Sequence, residues 1–246
     1  SNDELKTAII SAYLCNYDLI KIMGNNLVDS SPDIRKSLHE LASVEIIEQS
    51  QKKIIARCFL DTNNIAIKAL IRRLDIMARS MLNDAKDSIL SENLTEYAYQ
   101  KETDVTRLSF LIIRLLRKAL VEPELASALK IRPTDILEDY RLVALLEDIA
   151  DQAKRVCKYL KKEIKNKEAL DKLFKEIIEH YESALKSYYT QDKTLAWQVV
   201  NNRKVLMDKC KEFLEKNLEP TNVSINEKMR KLVSFNASIG ILTIDK

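Results

Sequence analysis

The sequence predicts a mainly α fold: two tandem three-helix bundles preceded by a small α/β segment. Three observations predict it. Two Gly and four Pro in 246 residues are very few, and sheets need the turns that those residues make. From Asp61 onward, apolar residues recur at helical spacing in six long stretches. Those six fall into two sets of three with matching breakpoints.

Residues 1–61 form the α/β segment. Leu5 to Tyr17 is expected to be helical, with Asn16 taking the left-handed conformation that ends it. Asp18 to Met23 then reads as a short strand closed by Gly24. Ser31-Pro32-Asp33 starts a helix, with Pro in its first turn beside an acid, and the helix runs to about Leu41. Val44 to Phe59 alternates as two strands around a polar bend at Gln49 to Lys53. Three strands are too few for independence, so the segment is expected to pack on the downstream helices or on an upstream part of the chain. The chain opens on Ser1-Asn2 without a Met, which suggests a remnant or a truncation.

Residues 62–166 form the first bundle. Thr62 or Asn63 is expected to cap a helix carrying Ile65, Ala69, Leu74, Met77, Met81 and Leu82 and ending near Leu90 to Asn93. The second helix, about Leu94 to Leu120, is apolar from Leu108 to Leu116 except for Ser109 and Arg114. It is therefore expected to be covered on most sides. Pro123 to Pro133 reads as a connection, and Thr134-Asp135 caps a third helix through Leu146, Val156 and Leu160. Asn166 and Lys167 mark a break.

Residues 167–246 form the second bundle. Its helices are Ala169 to Tyr189, Thr194 to Leu218, and a last one capped by Ser224 that carries Ile225, Met229, Leu232 and Ile239. Leu74 pairs with Leu173, Ala85 with Ala184 and Thr95 with Thr194 at an offset of about 99, longer than the usual repeat range. One residue of slippage later, Ala98 pairs with Ala196 and Leu108 with Leu206. Three antiparallel stripes in each copy make a bundle.

Composition excludes several function classes. Charged residues are 31% of the chain, both signs interspersed, with a net charge of +3, which argues against a dedicated nucleic-acid binder. No apolar run approaches the 18 or so residues of a membrane span, and no signal peptide opens the chain. Cys15, Cys58, Cys157 and Cys210 are scattered and read as small buried hydrophobes in a reducing cytosol. His39 and His180 are far apart, which disfavours a catalytic dyad or a zinc site. No Gly-rich phosphate loop or nucleophile elbow occurs, so the sequence reads as no enzyme and shows no direct phosphate site. Trp197, Tyr181, Tyr188 and Tyr189 read as core or interface, and the Lys158 to Lys167 run as a solvated face.

Two tandem three-helix bundles built from a repeated unit resemble PhoU, the phosphate-uptake regulator family. Thr106-Arg107-Leu108 through Arg114-Leu115-Leu116 resembles the second-helix mark of the family's archaeal branch. Leu145 to Asp151 resembles its third-helix motif. Tyr13 to Asp18, with Asn16 where relatives usually have Gly, resembles the segment that precedes the bundles there. The resemblance implies a cytoplasmic regulator of phosphate uptake and homeostasis that contacts a phosphate transporter or signalling protein as a homodimer. It also implies that an AbrB-like DNA-binding barrel sits upstream in such relatives, which would make the output transcriptional. DNA would be reached only through that missing domain, and no membrane insertion is implied. The alternatives are a module regulating another transporter, such as a potassium system, or a metal-binding helical bundle.

The resemblance further implies iron or another divalent metal on paired acid-x-x-x-Asp motifs. Positions i and i+4 project from one helix face, and two such faces can encircle a hard cation with oxygens. Here the first bundle keeps Glu102, Glu147 and Asp151 but has Thr106 where the family has Asp. In the second, aligning Val156 with Ile239 puts Arg230 at the Glu147 position and Ser234 at the Asp151 position. Asn201, Asn202 and Lys204 replace the acids of its middle helix. A metal is thus expected on the first bundle only, at one impaired site. The competing reading makes Glu147 and Asp151 surface acids, with Arg155 one turn beyond as partner. Like charges at i, i+4 cost only about 0.2–0.5 kcal/mol.

Overall fold

The computed structural model describes residues 2–27, 29–62, 65–91, 95–160 and 164–246. Among these residues there are nine helices and one three-stranded sheet. The chain forms two compact units, Ser1–Arg73 with Thr106–Val143, and Leu74–Val105 with Ala144–Lys246.

In the first unit, α1 (Asn2–Leu14) leads to β1 (Leu19–Met23), α2 (Ser31–His39), β2 (Val44–Gln49) and β3 (Lys53–Cys58). Asn16 stands at φ 65° and turns the chain from α1 into β1, as an Asn in the left-handed region can. The sheet order is β1-β3-β2, antiparallel throughout, with Ile22 opposite Ile54 and Val44 opposite Cys58. Alternation puts Ile20, Ile22, Ile54 and Ala56 on one buried face. Ile9 and Tyr13 of α1 and Ile34 and Leu38 of α2 cover that face, and Phe110 packs on the edge of the same core. A register shift between Ile46 and Glu48 leaves Ile47 out of the ladder and half exposed.

Three helices come next: α3 (Ile67–Leu90), α4 (Thr95–Val121) and, after the short α5 (Pro123–Ala128), α6 (Pro133–Leu160). Each contributes residues to both units. Side chains tie them together: Lys68 of α3 meets Asp139 of α6 at 2.7 and 2.8 Å, and Lys101 of α4 meets Asp84 and Ser80 of α3. From Leu108 to Leu116, every residue of α4 is buried or half-buried, and Ile112, Leu115 and Leu116 are fully so. The second bundle is α7 (Lys167–Thr190), α8 (Lys193–Lys216) and α9 (Pro220–Asp245), each packed on the other two. Asp192 caps α8 by accepting the Leu195 N–H at 2.9 Å. Gly240 of α9 lets α8 approach: a Cβ there would stand 3.2 Å from the Ala196 carbonyl oxygen and from a Val199 methyl.

The copies agree in burial, and their first helices in length. Leu74 and Leu173, Ala85 and Ala184, and Leu108 and Leu206 are all buried, and α3 and α7 both span 24 residues.

Four expectations are corrected. The stretch from Pro123 to Pro133 contains α5, because Pro123 in the first helical position presets the turn. The same device starts α9 at Pro220; Ser224 lies one turn inside, its hydroxyl donating to the Pro220 carbonyl at 3.0 Å. Helix α6 starts at Pro133, before the expected cap, and Asp135 pairs with Arg132 instead. Cys157 and Cys210 are buried, but Cys15 is exposed and Cys58 half-buried. The cap expected at Asn63, the helix start at Leu94 and the Lys161–Glu163 part of the basic run lie outside the described residues, as do the side chains of Thr95 and Ala98.

Candidate functional site

In the second unit α4 and α6 carry the acids singled out by sequence. Glu102 lies in the N-terminal half of α4, half-buried; Glu147 and Asp151 lie one turn apart on α6, also half-buried. The structure brings Glu102 and Asp151 to a common partner, Lys154. Its ammonium donates to Glu102 Oε1 at 2.8 Å and lies 3.2 Å from Asp151 Oδ1. Arg155 takes the other oxygen of Asp151. Burial works against the Lys154 charge, but the hydrogen bond and charge of Glu102, and then those of Asp151, outweigh it and raise its pKa. Asp148, one turn before Gln152 on α6, has its pKa raised by partial desolvation and then by the Asp151 charge.

Lys101, next to Glu102, reaches the other way to Asp84 and Ser80. Below it the Cys157 thiol is buried, and burial, followed by the Asp84 charge, pushes its pKa up to about 11. A protonated, enclosed thiol is inert as a nucleophile or ligand at neutral pH.

A divalent cation on Glu102, Glu147 and Asp151 needs its oxygens turned to one point with no cation among them. Here the Lys154 ammonium stands between Glu102 of α4 and Asp151 of α6, where a cation shared by those two would have to sit. Among the described residues no three His, Cys, Asp or Glu side chains converge as ligands would. Thr106, half-buried on α4, adds no charge. As placed, the donor set does not fit a resident metal: Lys154 supplies the positive charge. Sequence reading passed over Lys154, although a signal existed, since it sits three residues after Asp151 on the same helix face. Lys154→Met should therefore create affinity for manganese or ferrous iron that the natural chain lacks. Calorimetry with each metal checks it, and an anomalous peak between α4 and α6 in natural protein soaked with either metal would contradict it.

Two of the grooves that the second bundle presents hold residues singled out by the sequence. One, of about 850 Å³ between α7 and α8, is lined by Glu176, Ser183, Gln198, Asn202, Lys209 and the buried His180. His180 Nε2 lies 2.8 Å from the Val199 carbonyl, which assigns the proton to Nε2. Nδ1 is then a buried acceptor without a partner among the described residues. Burial lowers the His180 pKa, the Val199 bond opposing it. A depressed histidine gives stability that is present above the ordinary imidazole pKa and lost as pH falls through the folded value. Stability should hence fall on acidification below about pH 6.5, and His180→Gln should flatten that limb in urea titrations run at each pH.

The other groove, of about 500 Å³ between α8 and α9, is lined by Arg203, Met207, Asn226, Arg230, Ser234 and Phe235 among others. It holds the two residues that sequence alignment puts opposite Glu147 and Asp151. The residues from Tyr181 to Trp197 divide: Tyr181 and Tyr188 are buried, Trp197 is 53% exposed.

Among the described residues no helix is long and apolar enough to cross a membrane. No family model matches the sequence, and no curated protein matches it. Among solved structures, the crystal structure of PhoU from Pseudomonas aeruginosa is similar at a TM-score of 0.55 and 13% identity. The match covers 72% of this chain and 93% of that one. The chain has a PhoU-like helical fold.

Proposed function

We propose that this chain is a PhoU-type regulator of phosphate uptake and homeostasis that acts through protein–protein contacts rather than catalysis. One observation carries the reading: almost the whole length of a PhoU structure is matched by a chain whose six long helices come in the predicted order. The interspersed surface charge is consistent with a cytoplasmic protein. The partner is a phosphate transporter's ATPase subunit or a signalling protein of the same response, engaged by a homodimer. Where an AbrB-like barrel precedes the chain, the bundles serve as its sensor and dimerisation part, and the output is transcriptional.

The immobilised chain should capture phosphate-transporter ATPase subunits from extracts of its source organism. Capture of a potassium-transport component in their place would overturn the phosphate reading. Light scattering should give twice the 28.4 kDa chain mass; a monomer at all concentrations would remove the homodimer.

A further inference from the structure

We propose that the groove between α8 and α9 is a binding site for a phosphate-class oxyanion, with Arg203 and Arg230 as the residues that hold it. The two helices approach closely, and each offers one arginine to the same groove of about 500 Å³. The neighbouring ion pairs are Lys209 with Glu176, Lys211 with Glu215, and Lys228 and Lys231 with Glu227. Arg203 and Arg230 have no ion pair among the described residues. The acid among the described residues that line the groove, Glu227, is matched by two lysines, and its pKa is lowered by Lys228 and then Lys231. The lining has a net positive charge carried by guanidinium groups, whose planar donor forks suit tetrahedral oxyanions.

Two further groups belong to the same site. Ser234 is half-buried one turn beyond Arg230 and adds a hydroxyl that can donate. Asn226, one turn before Arg230, is 2% exposed, lines the groove, and has its Oδ1 buried without a hydrogen-bond partner. A buried amide left unsatisfied is uncommon and marks a place where a ligand or water completes the bonding. The carboxamide can turn either its oxygen or its nitrogen to such a group. Met207 and Phe235 form an apolar wall beside these donors. That wall favours a phosphate carried on an apolar or aromatic body over the free ion. Along the sequence Arg230 and Ser234 read only as replacements at the positions of Glu147 and Asp151; with Arg203 in the same groove, these positions form a site of opposite charge preference.

The inference does not depend on the regulatory reading, because it is tested on the isolated chain. Calorimetry at constant ionic strength, with chloride as the balancing anion, compares inorganic phosphate with phenyl phosphate. One site per chain is expected, tighter for phenyl phosphate. Arg203→Gln and Arg230→Gln should each weaken it tenfold or more, since each removes charge-assisted hydrogen bonds. Lys211→Gln makes the same charge change at a side chain outside the groove, 75% exposed, and should change affinity less than twofold. Equal affinity for the two probes, with both lost in Arg230→Gln, supports the oxyanion cradle with the head group alone as ligand. Absence of saturable binding of either probe at millimolar concentration overturns the proposal, and so does equal weakening by Lys211→Gln.

Discussion

Arg114→Met should lower the stability of the first unit by about 3 kcal/mol and loosen α1 and the sheet before anything else unfolds. Arg114 is 2% exposed within the apolar stretch from Leu108 to Leu116 of α4. Its guanidinium donates to the Tyr13 carbonyl and to the Tyr17 carbonyl at 3.3 Å, and to Asp18 Oδ1 at 2.6 Å. The Tyr13 carbonyl lies in the last turn of α1 and the Tyr17 carbonyl in the link that follows it, where unsatisfied acceptors and the negative end of the helix dipole favour a cation. The guanidinium also stacks on the Tyr13 ring, 4.8 Å from its centroid. Tyr13 is fixed in turn by its hydroxyl donating to the Ala42 carbonyl at 3.2 Å. One side chain thus anchors the small α/β segment to α4. The ranking among variants is the sharper expectation. Arg114→Lys should recover part of the loss, because it keeps the charge but not the fork. Asp18→Ala should cost at most about 1 kcal/mol, because that carboxylate is 68% exposed. Hydrogen exchange of α1 and β1 amides checks all three; an Asp18→Ala effect as large as that of Arg114→Met would mean the ion pair, not the helix-end bonds, is the anchor.

Tyr181→Phe should cost the second unit about 1–3 kcal/mol. The Tyr181 hydroxyl donates to Asp75 Oδ1 at 2.6 Å, and both residues are buried. Arg79 completes the cluster, stacked 5.6 Å from the Tyr181 ring centroid, 3.4 Å from Asp75 and 2.9 Å from Glu182. Removing the hydroxyl leaves the Asp75 carboxylate buried with only the longer Arg79 contact. The pH dependence separates this from a simple loss of packing. Burial, then the Asp75 charge and hydrogen bond, raise the Tyr181 pKa well above its usual value. A raised folded pKa gives stability that is complete below the unfolded pKa, about 10, and is lost as pH rises toward the folded value. The natural chain should therefore lose stability above about pH 10, and Tyr181→Phe should lose less over the same interval. Chemical denaturation at a series of alkaline pH values measures both; parallel pH profiles for the two proteins would contradict the linkage.

Much of the fold was legible because local signals agreed with each other. The bend between β2 and β3 lies where alternation stops and polar residues gather, and Asn16 turns where a left-handed residue was required. The repeat was legible because the first helices of the two copies have the same length and carry the same positions into both cores, as with Ala85 and Ala184. Helix starts at Pro123 and Pro220 were misplaced because a six-residue helix is too short to show a period, and because Ser224 has the composition of a cap without its position. At the candidate site, acid spacing along each helix was readable, but occupancy of the space between helices was not. Lys154 and Glu102 are brought together by packing alone. The same limit hid the partners of Arg114, which lie 96 to 101 residues away in sequence, and the meeting of Arg203 with Arg230 in one groove.

The proposed restraint of phosphate uptake is read out by the uptake of radiolabelled phosphate in cells lacking the chain. In phosphate-replete medium the deleted strain should accumulate more phosphate than its parent, and the restored gene should return uptake to the parental rate. Unchanged phosphate uptake together with altered potassium uptake in the deleted strain would overturn the phosphate reading in favour of another transporter.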